Sequence, residues 1–321
     1  MYEEATIMFL YCETSMHAGS GTSLGAIDLP IQREAYTNFP TIAGSGIKGA
    51  LREWFEVKVE ENAETKDAKK EKITIVFGPE TDGSEHAGAV AFTDAKILLF
   101  PVRSLRGLFT WITCPTILAR LVRDIELAKG TCEWKMEVFD NLRNGKVYGT
   151  ETNQNKISDS DLRVVLEEFT LDFSPNDEVT KIAKWISANV ISQKPEYKFW
   201  KEKIITNLLV LSDNDFSDFV QHSTEVNARI RLGDGKSSDT KHGGNLFYEE
   251  NLPAESVLYS TVLASIPHKK ENDSAVKKPK EVIEYIKTIK DFRIQIGGDE
   301  TVGKGIVKPT FLDGGTNVVN K

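Results

Sequence analysis

The segment from His17 to Arg52 constrains this chain most, because it places a glycine- and serine-rich loop, a proline and a helix start in one short stretch. The loop glycines are Gly19, Gly21 and Gly25. A dinucleotide-binding fingerprint has its third glycine one residue sooner and a helix directly after it. Here Pro30 follows instead and keeps the preceding residue extended. The sequence therefore predicts a long loop whose backbone N–H groups can face an anion.

Two titratable residues of this loop, Asp28 and His17, are candidates for acid–base chemistry. Asp28 is the one carboxylate of the loop before Glu34. An aspartate in a loop most often forms a turn, and a single histidine most often has a structural role. Their presence together in a glycine-rich loop makes proton transfer the alternative. The residues alone leave both interpretations open.

A helix is predicted to begin at Ser45, which has the side chain of an N-cap and follows the break at Pro40. Apolar residues then recur at helical spacing, at Ile47, Ala50, Leu51, Trp54 and Phe55. Lys48 and Arg52 lie one turn apart, outside this apolar stripe. Free N–H groups at Ser45 and Gly46 with two nearby cations would suffice to bind a phosphate. The alternative is a solvated basic stripe.

Composition excludes several classes of protein. With 321 residues, 40% of them hydrophobic and 27% charged, the chain is typical of a soluble globular protein. It shows neither a signal peptide nor an apolar run long enough to cross a membrane, so we expect a cytoplasmic location and no membrane partner. Its three cysteines lack a CxxC pair, which argues against disulfides and a zinc knuckle. A net charge of −8 argues against binding of long duplex nucleic acid by charge alone, but it permits a local basic groove.

The remaining chain alternates strand-like and helical patterns. Strands are predicted over 5–12, 88–100, 162–173, 204–211 and 256–265, and helices from Pro115, near 177–190 and over 281–292. The charged segment of about 56–72 is predicted to be a solvated insertion, and 267–280 to be loosely held. Residues of about 130–210 are interpreted as an insertion or second lobe. Arg103 is placed at a turn or strand end.

A β-hairpin is predicted from 225–232 and 246–250, joined by a long polar tip. Arg229 and Arg231 should point to the same side, because alternate residues of a strand share a face. Such an arm can lie on a phosphate backbone or insert an apolar residue between bases. The alternative is an ordinary hairpin with solvent-facing arginines.

Residues 294–305 nearly match a P-loop, since Gly298 is followed by four residues and then Gly303-Lys304. However, Gly305 replaces the hydroxyl residue that would hold magnesium, and an extended segment follows instead of a helix. A nucleotide-binding enzyme is therefore disfavoured. A glycine turn that lets two backbones approach each other, or a simple hairpin connection, stays open.

Several long segments together resemble one known family. HAGSGTSLGAIDLPIQRE, GSGIKGALR, AFTDAKILLFPVRS with GLFTWITCP, LFYEENLP and GGDETVGKG are similar to the backbone RAMP subunit, the one numbered fourth, of the type III-B CRISPR Cmr effector complex. The resemblance implies an α+β fold over 1–321, with a ferredoxin-like, RRM-type RAMP core, an inserted helical lobe and a protruding hairpin thumb of about 222–252. It also implies that copies stack in a helical filament on a CRISPR guide RNA, beside other Cmr subunits.

The resemblance further implies a metal-dependent endoribonuclease, acting within the assembled complex, that cuts complementary single-stranded target RNA at regular intervals. Asp28 then takes the catalytic role and is the metal ligand, for Mg²⁺ or Mn²⁺, while His17 and Glu225 are secondary candidates. The target's 2′-OH can attack its own phosphodiester once the nucleotide is splayed into line. The RNA-binding candidates are Ser45, Gly46, Lys48, Arg52, Arg103, Arg229, Arg231, Gly297, Gly298 and Lys304. The competing hypothesis is a non-catalytic, architectural RNA-binding filament subunit.

Overall fold

The structure, a computed structural model, describes residues 2–57, 66–80, 86–231, 245–267 and 276–312. Its strands are β1 (Tyr2–Cys12), β2 (Thr41–Ile42), β3 (Val90–Phe92), β4 (Ala95–Arg103), β5 (Phe109–Thr113), β6 (Lys146–Gly149), β7 (Arg163–Leu166), β8 (Phe169–Pro175), β9 (Leu208–Leu211), β10 (Glu225–Arg231), β11 (Asn245–Asn251), β12 (Val257–Ser265), β13 (Ile294–Gln295) and β14 (Ile306–Phe311). Its helices are α1 (Gly44–Val57), α2 (Lys66–Phe77), α3 (Pro115–Leu127), α4 (Asp177–Asn189), α5 (Lys198–Asn207), α6 (Asp213–His222) and α7 (Pro279–Lys287).

A ferredoxin-like βαββαβ unit forms the core, as the resemblance implies. Its strands lie in the order β14-β1-β12-β4, all antiparallel to their neighbours. The helices α1 and α7 provide the two crossovers, and α7 packs against β1 and β12. Residues 7–12 of β1 are buried on both faces, which explains why this strand reads as a continuous apolar run.

The inserted segment of about 130–210 extends the same sheet. Strand β5 pairs with β9 in parallel, and β6, β8 and β7 follow outward. The helices α4 and α5 pack on each other and on these strands. The segment therefore contains both helices and strands, and it shares the hydrophobic core of the βαββαβ unit.

The predicted elements differ from the structure where the apolar pattern extends over only a few residues. Residues 204–207 complete α5, so the strand predicted there begins only at 208. A short apolar run does not distinguish the last turn of a helix from a strand. The predicted insertion of 56–72 overlaps the end of α1 and the first part of α2, and residues 58–65 lie outside the described chain. The side chains of α2 that the structure describes from residue 69 onward bury apolar residues only beyond 72, which is why the charged half shows no period.

The hairpin of β10 and β11, hereafter the thumb, stands off the main sheet as a separate ladder. Its tip, residues 232–244, lies outside the described chain. In the part of the chain that the structure describes, no helix is long and apolar enough to cross a bilayer.

Glu255 predicts how the stability of this fold changes with pH. Its side chain lies in the turn between β11 and β12, and burial raises its pKa from 4.5 to about 7. Between these values the folded protein holds a proton that the unfolded chain releases, so the free energy of unfolding should fall as pH rises, by up to about 3 kcal/mol. Glu255→Gln should remove this dependence, measured by urea unfolding at pH 5 and pH 8. Glu53→Gln, at an exposed position of α1, is the control. Equal slopes in wild type and Glu255→Gln would contradict the assignment.

Candidate active site and RNA-contacting elements

The glycine-rich loop ends as an added strand along the thumb. The N–H of Leu29 donates to the carbonyl of Tyr248 at 3.0 Å, and the N–H of Glu250 donates to the carbonyl of Leu29 at 2.9 Å. Leu29 also forms a parallel bridge with Glu249. Pro30 favours this extended backbone, as the sequence predicts. The loop and the thumb, more than two hundred positions apart in the chain, therefore meet at one place.

Asp28 lies at this junction and is half-buried. Its Oδ2 accepts a hydrogen bond from the N–H of Tyr248 at 2.7 Å, and its carbonyl accepts one from Ser23 at 2.8 Å. Within the described residues, no hydrogen bond engages Oδ1. The carboxylate thus has one oxygen fixed on the thumb and one available to a ligand.

The ring of His17 is held in one orientation close by. Its Nδ1 lies 2.7 Å from the carbonyl oxygen of Glu250, which can only accept, so Nδ1 carries the proton of this hydrogen bond. The ring lies against Gly19, where a Cβ would approach Nε2 to 2.7 Å. Nε2 is consequently the ring atom left for proton transfer.

The glycine turn of residues 297–305 packs on the same loop. Gly298 donates its N–H to the carbonyl of His17 at 2.9 Å. Gly297 has a φ of +91°, and a Cβ there would lie 2.5 Å from the same oxygen. Lys304 reaches the hydroxyl of Ser15 at 3.3 Å. The turn lets two backbones approach each other, and the strand β14 that follows it excludes a P-loop.

Arg229 joins the thumb to this turn. Its guanidinium contacts the carboxylates of Glu249 and, at 2.8 Å, Asp299. Burial alone would raise the pKa of Asp299, but the hydrogen bond from Arg229 holds it below its usual value. The hydrogen bonds that Arg229 donates to Asp299 and to Glu249 raise its own pKa. Arg229, a predicted RNA-binding residue, is therefore paired with two acids. The side chain of Arg231 lies outside the described residues.

The thumb has one polar and one apolar face. Strand pairing places Arg229 opposite Phe247 on one face, and Ile230 opposite Leu246 on the other. The side chains of the second pair are 68% and 53% exposed, although both are aliphatic. Tyr248 shares this apolar face. The predicted division of the hairpin into two faces is confirmed.

The helix α1 begins earlier than predicted. The helix begins at Gly44, whose N–H donates to Oδ1 of Asp94 at 2.8 Å, so Ser45 is not the N-cap. A Cβ on Gly44 would lie 2.3 Å from the carbonyl oxygen of Phe92, and this close approach brings Asp94 within reach. Ser45 and Gly46 stay exposed on the first turn.

Both cations of α1 already contact the protein. Lys48 donates to the carbonyl of Val90 at 3.2 Å, and burial, followed by the charge of Arg52, lowers its pKa. Arg52 pairs with Glu56 at 2.7 Å and donates to the carbonyl of Gly78 at 3.1 Å. These bonds fix the direction of the two side chains on the surface that carries Ser45 and Gly46.

One glutamine connects the helix start to the loop. Nε2 of Gln32 donates to the carbonyl of Gly19 at 3.0 Å, and its Oε1 accepts from the N–H of Ala43 at 2.7 Å. Two predicted site residues make no described hydrogen bond to Asp28 or His17. Arg103 pairs with Glu167 at 3.1 Å near the β7–β8 turn, and Glu225 is exposed at the foot of the thumb, opposite Asn251.

Sequence reasoning missed four residues that build the site: Arg33, Glu249, Glu250 and Asp299. The sequence did offer one signal for the two glutamates, since Glu249 and Glu250 are adjacent in a strand that has an apolar face. One of two adjacent strand residues points to each face, and a buried acid needs a partner. A divalent metal needs several oxygen or nitrogen ligands around one point. Among the described residues, no three Asp, Glu, His or Cys side chains converge as metal ligands. The protein atoms described do not by themselves form a cage for Mg²⁺ or Mn²⁺.

Comparisons with known proteins give a consistent result. The family model of the RAMP superfamily matches residues 9–308. The CRISPR system Cmr endoribonuclease Cmr4 of Pyrococcus furiosus is 37% identical, over 98% of this chain and 99% of its own. The CRISPR system CMR subunit Cmr4 of Saccharolobus solfataricus is 28% identical, over 95% and 96%. The crystal structure of oligomeric Cmr4 from Pyrococcus furiosus superposes with a TM-score of 0.68 at 31% identity, covering 98% of this chain and 99% of that one.

Proposed function

Because the chain belongs to the RAMP superfamily and, within it, to the Cmr4 family, we propose that it is a backbone subunit of a type III-B CRISPR Cmr effector complex. In this role it binds guide RNA and cleaves complementary single-stranded target RNA at regular intervals. Its partners are the two RNAs, further copies of itself in a helical filament, and other Cmr subunits, in the cytoplasm. The observation that carries the proposal is the similarity, over nearly the whole of both chains, to a relative named as an endoribonuclease.

The thumb supplies the spacing of the cuts. Its exposed apolar face, led by Ile230 and Leu246, suits insertion between stacked bases, because an aliphatic wedge unstacks neighbours without pairing to them. A nucleotide displaced there leaves its backbone near the foot of the thumb, where Asp28 contacts Tyr248. One thumb in each copy of the filament then gives one cut for each copy.

Cleavage proceeds by attack of the 2′-hydroxyl on the adjacent phosphorus. The bond from the 2′-oxygen to phosphorus forms, the bond to the 5′-oxygen breaks, and the products carry a 2′,3′-cyclic phosphate and a 5′-hydroxyl. Asp28 orients the 2′-hydroxyl and accepts its proton, and the 5′-oxygen takes a proton from water or, as the secondary candidate, from Nε2 of a His17 ring that carries protons on both nitrogens. Glu225 is exposed and makes no described hydrogen bond to either residue, so it is the weakest of the three.

Metal dependence is part of this proposal, with Mg²⁺ or Mn²⁺ as the ion. Asp28 would be the protein ligand, through the oxygen that no described residue engages, and this role is the alternative to its accepting the proton of the 2′-hydroxyl. Mg²⁺ commonly binds through one or two carboxylates together with phosphate oxygens and water. The charge it supplies would stabilise the leaving oxygen.

The first turn of α1 forms the guide-binding surface in this proposal. A Cβ added to Gly46 or Gly49 would meet nothing within 4 Å, so an RNA backbone can approach the helix closely. Ser45 is exposed beside that space, with Lys48 and Arg52 on the same side of the helix. The predicted free N–H at Gly46 is wrong, because that group donates to the carbonyl of Ala43 at 2.9 Å. Lys304, Gly297, Gly298, Arg229, Arg231 and Arg103 complete the proposed RNA-binding set.

A non-catalytic, architectural subunit is the second candidate function. The hydrogen bond from Tyr248 to Asp28 favours it, since a structural aspartate makes the same contact. A complex assembled with guide RNA and an end-labelled complementary target distinguishes the two. We expect a ladder of products at a constant spacing, and no products from a non-complementary RNA. Binding of the complementary RNA without cleavage would favour the architectural subunit.

A further inference from the structure

Glu250, in strand β11 of the thumb, is a buried acid with an unusual set of partners. The residue is 3% exposed. Its Oε1 accepts from Arg33 at 2.6 Å and from the hydroxyl of Thr224 at 2.9 Å. Its Oε2 accepts from the N–H of Ile31 at 3.0 Å. Both oxygens of the carboxylate are therefore used by charged or polar groups around the loop.

The backbone of Glu250 contacts the loop on both sides of Asp28. Its N–H donates to Leu29, the residue after Asp28, and its carbonyl accepts from the ring of His17, near the start of the loop. With the side-chain bond to Ile31, one residue fixes three points of the loop. Asp28 itself is not touched by the carboxylate of Glu250 in these contacts, so any effect on Asp28 must be indirect.

Burial makes these contacts interdependent. A carboxylate removed from water is strongly unfavourable unless it is paired and hydrogen-bonded. Two of the three donors to Glu250, Ile31 and Arg33, belong to the segment that carries Asp28, so the charge is compensated only while that segment is docked on the thumb. Docking of the loop and burial of Glu250 therefore occur together.

We propose that Glu250 is a positioning residue for cleavage, which sets the orientation of Asp28 and His17 by docking their loop on the thumb. This inference rests on the proposed endoribonuclease function. Glu250 acts through the loop and does not touch the reacting atoms. Glu250 also holds the loop of Asp28 on the thumb, whose apolar face displaces the base. The cut is therefore made at a fixed distance from that face.

The test compares Glu250→Gln with Glu34→Gln in complexes assembled with guide RNA. Glu34 is a matched control, because it is also shielded and paired with an arginine, Arg120, at 3.0 Å, and its side chain contacts Thr37 rather than the loop. Single-turnover cleavage is measured at saturating target, together with the Kd for target. Hydrogen exchange is measured for the amides of 17–31.

Glu250→Gln should lower the cleavage rate constant roughly 10- to 100-fold, because a small misplacement of a reacting group has an effect of this size. Its Kd for target should stay within about twofold of the wild-type value, since phosphate contacts rather than this buried group dominate RNA affinity. Exchange over 17–31 should accelerate, and Glu34→Gln should show neither the rate loss nor the faster exchange.

The outcomes separate this inference from the proposed function. A wild-type rate in Glu250→Gln, with an inactive Asp28→Ala, would overturn the positioning role alone, and so would an equal rate loss in Glu34→Gln. Full cleavage by Asp28→Ala would overturn the role of Asp28 first. If Glu250→Gln does not assemble, Thr224→Val removes one hydrogen bond to Oε1 and keeps the ion pair. A several-fold slower rate at unchanged Kd supports the role, and an unchanged rate overturns it.

Discussion

Cleavage of target RNA is expected to fall roughly 10²- to 10⁴-fold when Asp28 is replaced by alanine, a range typical of losing an acid–base group. The carboxylate is the acid that the loop presents at the foot of the thumb, with one oxygen held by Tyr248 at 2.7 Å. Target binding should be unchanged, because guide pairing and phosphate contacts provide it. The measurement is single-turnover cleavage with a parallel titration of target binding.

Asp28→Asn separates the charge of this residue from its structural role. The amide oxygen of asparagine can still accept the hydrogen bond from Tyr248, so the loop should stay docked. A loss of cleavage in both variants identifies the charge as the requirement. Asp161→Asn is the matched control. It removes the charge of an acid that pairs with Arg163 in a turn away from the loop of Asp28. Full cleavage by Asp28→Asn would contradict the catalytic assignment and return Asp28 to a turn-forming role.

The fold was predictable wherever a pattern repeats along the chain. Apolar spacing located α3 and α4, a continuous apolar run located β1, and alternation located the thumb with its two faces. It did not resolve residues 204–207, because four residues are too few to distinguish a helix from a strand. The order of strands followed from the family resemblance and not from periodicity, since β1 pairs with β12 and β14 near the opposite end of the chain.

The site was predictable only in part, because its hydrogen bonds are long-range. Asp28 and His17 were identified as candidates from their loop, yet their partners Tyr248 and Glu250 lie more than two hundred positions away. For Arg229, too, local sequence does not predict the partners of the side chain. Its position in an alternating strand predicts an exposed cation, whereas the fold places it between two carboxylates. Charge compensation of this kind depends on which segments meet, and local sequence does not encode it.

The largest expected loss of stability follows from removing the cation that compensates Glu250. The side chain of Arg33 is 15% exposed and that of Glu250 is 4% exposed, and the two meet at 2.6 Å. Arg33→Met keeps much of the side-chain volume but leaves a buried carboxylate without its counter-charge, which typically lowers the free energy of unfolding by about 3 to 5 kcal/mol. The change is measured by urea unfolding.

Two further variants test whether the charge of Glu250 causes that loss. Arg33→Met combined with Glu250→Gln should recover about 2 kcal/mol relative to Arg33→Met alone, because a neutral amide needs no cation and still accepts from Ile31. Arg103→Met is the comparison, because it removes an exposed ion pair, with Glu167, in which the arginine side chain is 73% exposed. It should lower the free energy of unfolding by less than about 1 kcal/mol. Similar losses from Arg33→Met and Arg103→Met would show that burial of Glu250 does not control docking of the loop. A large difference with recovery in the double variant would instead show that the folding energy of the thumb and the placement of Asp28 depend on the same ion pair.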